Sequence, residues 1–216
     1  MYMSLTEDAM KVIGITGRSG SGKSTLARAL ERLGAEVLDG DQIAAGLLAP
    51  GSPLLLKVRD AFGPEFFRED GSLDRKKLGS LVFSDERSLA VLDGIVHPHF
   101  RRLVEEEVRK LERQDRSPEI AVLDAAVLFE AGLDGICDIV VAVMCDDETM
   151  ASRISQRDGI EAQASLERIN AQKSKLSDYC MARKADIVVI SRGDAAEMDA
   201  WAKRIARIAK GGTHGH

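Results

Sequence analysis

An α/β fold is predicted for this chain of 216 residues, with a five-stranded parallel sheet between helical layers. Three observations predict it. Short β-branched runs stand at 11–16, 37–38, 120–123, 139–144 and 187–190. Segments of helical periodicity separate them, and the first run ends in glycines, the pattern of a strand buried on both faces that feeds a loop. Strands alternating with helices require right-handed crossovers, which cover both faces of the sheet.

From Lys23 the period changes to a helical one. Leu26, Leu30 and Leu33 fall at i, i+4 and i+7 beside Ala27, and Gly34 stands at a C-cap position. The run Val37-Leu38 then enters Asp39-Gly40-Asp41. This second strand is expected beside the first, with both carboxylates at the carboxyl edge, where an open α/β sheet exposes its ligand crevice. Residues 42–117 break the rhythm. Pro50-Gly51-Ser52-Pro53, Phe62-Gly63-Pro64 and Asp70-Gly71 punctuate apolar helical segments there, so an inserted helical subdomain is expected. Its last helix carries Glu105/Arg109 and Glu106/Lys110 as i,i+4 pairs, a solvated face. The nucleotide-binding core is then assigned to 11–41, 118–146 and 183–210, and 147–182 to a lid.

Composition narrows the class. With 44% hydrophobic and 30% charged residues the chain reads as globular. Thirty Lys+Arg against 35 Asp+Glu give a net charge of −5, so no broad polyanion surface and no nucleic-acid partner are expected. No apolar run approaches the roughly 20 residues of a membrane span, and the first ten residues lack an export pattern. Cys137, Cys145 and Cys180 are odd in number and lack C-x-x-C spacing, which points to a reducing, cytoplasmic setting without zinc.

The decisive segment is Gly17, Arg18, Ser19, Gly20, Ser21, Gly22, Lys23, Ser24 and Thr25. It matches G-x-x-x-x-G-K-[ST] in full between a strand and a helix, the context that the phosphate-binding loop, or P-loop, requires. Its glycines let successive N–H groups point into one concavity, and the helix N-terminus adds partial positive charge. Lys23 would reach the β- and γ-phosphates of a nucleotide, and Ser24 would ligate Mg²⁺. Asp39 or Asp41 could accept a proton from an attacking hydroxyl or hold Mg²⁺ through water, or could cap the next helix. Arg153 and Arg157, four apart, could clamp a transferring phosphoryl group or simply face solvent. Asp124 ends a strand as a Walker B carboxylate would, a weak signal. His97-Pro98 is read either as a substrate contact or as a helix start. The absence of N-K-x-D argues against a GTPase.

With these residues placed, the chain resembles the dephospho-coenzyme A kinase family from about residue 11 to 210. The likeness is carried by the P-loop and its preceding Ile-Gly-Ile-Thr, by Leu33 to Asp41, and by Asp70-Gly71-Ser72-Leu73-Asp74-Arg75. It continues through Ile95-Val96-His97-Pro98, Leu128-Phe129-Glu130, Gln156-Arg157-Asp158-Gly159 and Arg168-Ile169-Asn170-Ala171-Gln172. The resemblance implies a three-layer P-loop fold with a helical acceptor-binding insert and a helical lid. It implies ATP and Mg²⁺ as cofactors and phosphorylation of the ribose 3′-hydroxyl of dephospho-CoA, the last step of coenzyme A biosynthesis. Asp41 matches the catalytic base, acting with Lys23, Arg153 and Arg157; Asp39 joins Ser24 at the metal; Asp39, Arg75, His97 and Leu128 are implied acceptor contacts. The oligomeric state is left open. Ala45, Ala126, Met150 and Ser191 stand where the family commonly has arginine, proline, glutamine and asparagine, and the 172–186 spacing is a few residues long. The rival readings are a nucleoside or nucleotide kinase of similar architecture and a non-enzymatic P-loop switch.

Overall fold

The computed structural model describes residues 9–173, 178–192 and 194–211. Five strands, β1 (Lys11–Thr16), β2 (Glu36–Asp39), β3 (Ile120–Asp124), β4 (Ile139–Met144) and β5 (Ile187–Ile190), form one parallel sheet in the order β2-β3-β1-β4-β5. The expectation that β2 lies beside β1 is corrected. β3 runs between them, with Ile13 opposite Val122 and Val37 opposite the same Val122. The long helical excursion after β2 returns the chain between its first two strands, and the register then sets Asp39 directly opposite Asp124.

Side-chain alternation sorts the strands into two cores. On one face Ile13, Ile15, Val122 and Val141 meet Leu26 and Leu30 of α1 (Lys23–Glu31) and Met198 and Ile205 of the final helix. On the other, Val12, Ala121, Leu123 and Val140 meet Phe100, Val104 and Val108. These last three belong to a 27-residue helix, Glu86–Glu112.

The excursion is helical, as expected: α2 (Gly40–Leu47), α3 (Pro53–Phe62), α4 (Arg75–Ser84) and α5 (Glu86–Glu112). Ser52, Asp74 and Asp85 cap α3, α4 and α5 with their side chains, which explains why each helix starts where it does. Leu55, Val58, Leu73, Leu78 and Val82 make a small core of their own. α5 serves both cores, with Leu89 and Leu92 packed in the excursion and Phe100 to Leu111 under the sheet. The reading of His97-Pro98 as a helix start is corrected, because both lie inside α5. Apolar packing on both sides, at the half-buried Ile95 and the buried Phe100, carries the helix through the missing proline N–H.

Beyond β4 come α6 (Asp147–Asp158), α7 (Ala162–Lys173), α8 (Asp178–Lys184) and α9 (Ala195–Ala209). Met150 and Ile154 of α6 and Ile169 of α7 close a satellite core with Cys145. The long 172–186 spacing is taken up by α8, while residues 174–177 lie outside the described residues. Among the described residues no helix is long and apolar enough to cross a membrane.

Candidate active site

Residues 17–22 leave β1 and turn into α1, whose first residue is Lys23. Two glycines are required by contact as well as by backbone angle. A Cβ on Gly17 (φ +149) would stand 2.3 Å from the Val143 carbonyl oxygen, and one on Gly20 (φ +79) 2.8 Å from that of Met150. The loop is thus pressed against β4 and α6, and its inner side borders a cavity of about 620 Å³.

The cavity floor carries opposed charges. Burial pushes the Lys23 ammonium below its usual pKa, against the pull of Asp124 and Asp41. Burial likewise raises the Asp124 carboxyl above the usual carboxylate range, opposed by Lys23 and by the Ser24 hydroxyl, which donates to Asp124 Oδ2 at 2.9 Å. Burial thus works against the charged form of both groups, while their mutual attraction favours it. Asp124 was the weaker of the carboxylate signals in the sequence; the structure gives it the Ser24 hydroxyl.

The two acids of Asp39-Gly40-Asp41 divide their work. Asp39 is the N-cap of α2, its Oδ1 accepting from the N–H groups of Asp41 and Gln42 at 2.9 and 3.1 Å. Asp41 follows in the first helical turn, lines the cavity, and contributes charge at both Lys23 and Arg157. Asp39 borders the same cavity while fixing where α2, and hence Asp41, begins.

α6 delivers the arginines. Arg153 Nη1 donates to the Gly20 carbonyl at 2.9 Å, and Nη1 and Nη2 reach Ser191 Oγ at 3.4 and 3.3 Å. Arg157 Nη2 reaches Ser19 Oγ at 3.4 Å and also donates to Asp158 Oδ2 at 3.0 Å, while Nε donates to Asp158 Oδ1 at 2.7 Å. Both line the cavity. Ser191, a position noted only as a departure from the family pattern, is therefore part of the site wall, and the equally atypical Met150 is fully buried beneath the loop.

Other expected site residues lie elsewhere. Gly17, Arg18 and Ser21 shape the loop from behind rather than border the cavity. The Arg18 side chain pairs with Asp147 and Asp178, and the Ser21 hydroxyl is buried with no hydrogen-bond partner among the described residues. Arg75 opens α4 and its Nη2 reaches the Ala45 carbonyl at 3.4 Å. His97 Nε2 lies 3.5 Å from Asp93 Oδ1 one helical turn away. Neither borders this cavity. Leu128, an expected acceptor contact, is 0% exposed and fills the space over Gly14, where a Cβ would come within 2.8 Å of its Cδ1. Cys137 is inert, its thiol pushed up to about 12 by burial.

Comparison with known proteins agrees with this architecture. The sequence model of one family, described as dephospho-CoA kinase, matches residues 11–197. The dephospho-CoA kinase of Symbiobacterium thermophilum is 39% identical over 206 residues, covering 95% of this chain and 84% of that protein. That of Geobacter sulfurreducens is 38% identical over 200 residues, covering 90% and 99%. A crystal structure of a Thermus thermophilus protein superimposes with a TM-score of 0.72 at 32% identity, covering 93% of this chain and 98% of the other.

Proposed function

The chain belongs to the dephospho-CoA kinase family, and on that premise we propose that it transfers the γ-phosphoryl group of ATP to the ribose 3′-hydroxyl of dephospho-CoA, giving CoA and ADP. One observation carries the reading of the site: a single cavity brings Lys23, Asp41, Asp124, Arg153 and Arg157 together around the loop. That set supplies each part that phosphoryl transfer needs, namely a phosphate cradle, a proton acceptor, a metal-side carboxylate and cations for the transferring group.

The loop N–H groups and Lys23 hold the β- and γ-phosphates. Asp41, free of the capping duty that Asp39 performs, accepts the hydroxyl proton. Arg153 and Arg157 meet the charge that spreads over the transferring oxygens. Ser24 Oγ and Asp124 Oδ2, 2.9 Å apart, are hard oxygen donors of the kind Mg²⁺ prefers, and they would hold it together with phosphate oxygens and water. When bound, that ion would neutralise phosphate charge. Asp39, on the same wall, would reach the ion's waters. The helices of 42–117 would seat the acceptor, 147–182 would cover ATP, and the enzyme would act in the cytoplasm.

The test offers Mg-ATP with dephospho-CoA and with a panel of nucleosides and nucleotides, and measures product mass. Dephospho-CoA should gain one phosphoryl group with equimolar ADP. A phosphorylated nucleoside or nucleotide in its place would favour the kinase alternative, and ATP binding with no phosphorylated acceptor the switch. Asp41→Asn should lose about 10²–10⁴ in turnover while still binding both substrates.

A further inference from the structure

Arg18 occupies a P-loop position, yet its side chain is only 6% exposed and does not face the cavity. Its Nε and Nη2 donate to the two carboxylate oxygens of Asp178 at 3.0 and 2.6 Å, a forked pair, and Nη1 donates to Asp147 Oδ1 at 3.1 Å. Asp147 opens α6, the helix that carries Arg153 and Arg157. Asp178 opens α8, which is anchored in the main core by the buried Met181 and by Lys184, whose ammonium lies 5.2 Å from the Phe129 ring centroid. The backbone of Arg18 works on the other side of the loop. Its carbonyl accepts from Lys23 Nζ at 3.3 Å and from the Ser21 N–H at 3.1 Å.

We propose that Arg18 is a positioning residue that fastens the P-loop to α6 and α8, setting Lys23 and the two cavity arginines in register before the nucleotide arrives. An exposed ion pair would contribute little, but this guanidinium is buried and forked, and two carboxylates share it. Without it, Asp147 and Asp178 would lose the guanidinium that they share. A loop already held in its binding shape loses less entropy on taking up a polyphosphate. Lysine at this position would keep the charge but could not grip both carboxylates in one plane.

The inference rests on the nucleotide half of the proposed function and not on the acceptor, so ATP and dephospho-CoA binding are measured separately by calorimetry. Arg18→Met should weaken ATP binding about tenfold and leave dephospho-CoA binding within about twofold. Asp178→Asn should cost less, about threefold for ATP. The double variant Arg18→Met, Asp178→Asn should bind ATP no worse than Arg18→Met alone, because the second change acts on a pair the first has already broken. Arg18→Lys should recover part of the loss. Wild-type ATP affinity in Arg18→Met, equal losses for both ligands, or a double variant whose loss is the product of the singles would overturn the proposal. If Arg18→Met does not fold, Asp178→Asn and Arg18→Lys decide by the same split between ligands. A wild-type chain that binds ATP but leaves dephospho-CoA unmodified would defeat the acceptor assignment alone.

Discussion

Asp124→Asn should produce an enzyme that is more heat-stable when empty and nearly inactive when loaded. The wild-type carboxylate is buried beside Lys23 and accepts from Ser24 Oγ at 2.9 Å, and desolvation outweighs both of these, so its folded pKa lies above the ordinary 3.8. A carboxyl raised in this way carries no penalty below the unfolded pKa, and stability is lost as pH rises through the folded one. Neutral pH is therefore the costly side. Asparagine removes the charge and keeps an oxygen for Ser24, so the bond weakens from a charge-assisted to a neutral one, a loss of about 1 kcal/mol. Lys23 loses its main counter-charge but retains Asp41. The net shift already includes Lys23 as an opposing cause, and the balance favours the neutral side chain. Turnover should fall about 10²–10³-fold, or roughly 2.7–4 kcal/mol, the scale of losing one preorganised electrostatic group. Thermal melts of the empty protein from pH 4 to 8, beside turnover at saturating ATP, test both halves. The stability gain should shrink as the pH is lowered. A variant that melts below wild type at neutral pH would refute the burial argument, and normal turnover would refute the placement of Asp124 beside the phosphates.

Lys23→Ala should abolish detectable transfer while far-ultraviolet circular dichroism remains native, since it removes a buried cation disfavoured by desolvation; residual turnover near wild type would reject the P-loop assignment. Arg157→Lys should lower kcat more than it weakens ATP binding, because the fork that spans Ser19 and Asp158 is lost while the charge stays; unchanged kcat would leave Arg157 a surface residue. Leu128→Ala should destabilise by about 2–5 kcal/mol through a cavity over Gly14, with the KM for dephospho-CoA little changed. A raised KM at unchanged Tm would return Leu128 to the acceptor site.

Most of the fold was legible because its signals are local. Each strand is a short β-branched run of the type a doubly covered parallel sheet needs, and α2 to α5 each begin at a side-chain cap close by in the sequence, Asp39, Ser52, Asp74 and Asp85 in turn. The strand order was not legible. Nothing in Val37-Leu38 or in 120–123 states which strand is whose neighbour; that choice is made by a crossover of some eighty residues whose own helices must first pack. Pro98 misled for a related reason, since a proline favours a helix start only when nothing else holds the chain helical, and here the packed apolar neighbours on both sides do.

The site divides along the same line. Lys23 and Ser24 were found because a loop closing directly onto a helix fixes their direction within a few residues of the motif, and Asp39 and Asp41 because one helix start places both. Asp124 was underweighted because its partner Ser24 is 100 residues away and becomes its neighbour only through the β3 insertion. Arg18 shows the converse: the motif speaks for its backbone in the loop, and acids 129 and 160 residues distant decide that its side chain lies behind it. Leu128 sits in a segment shared across the family, yet sharing a segment does not distinguish a ligand contact from the side chain that fills the space a strand glycine leaves. Each misreading thus occurs where a residue's partner is set by topology. The variants Asp124→Asn, Arg18→Met and Leu128→Ala bear on these positions, because each separates a role read from the motif from one imposed by the fold.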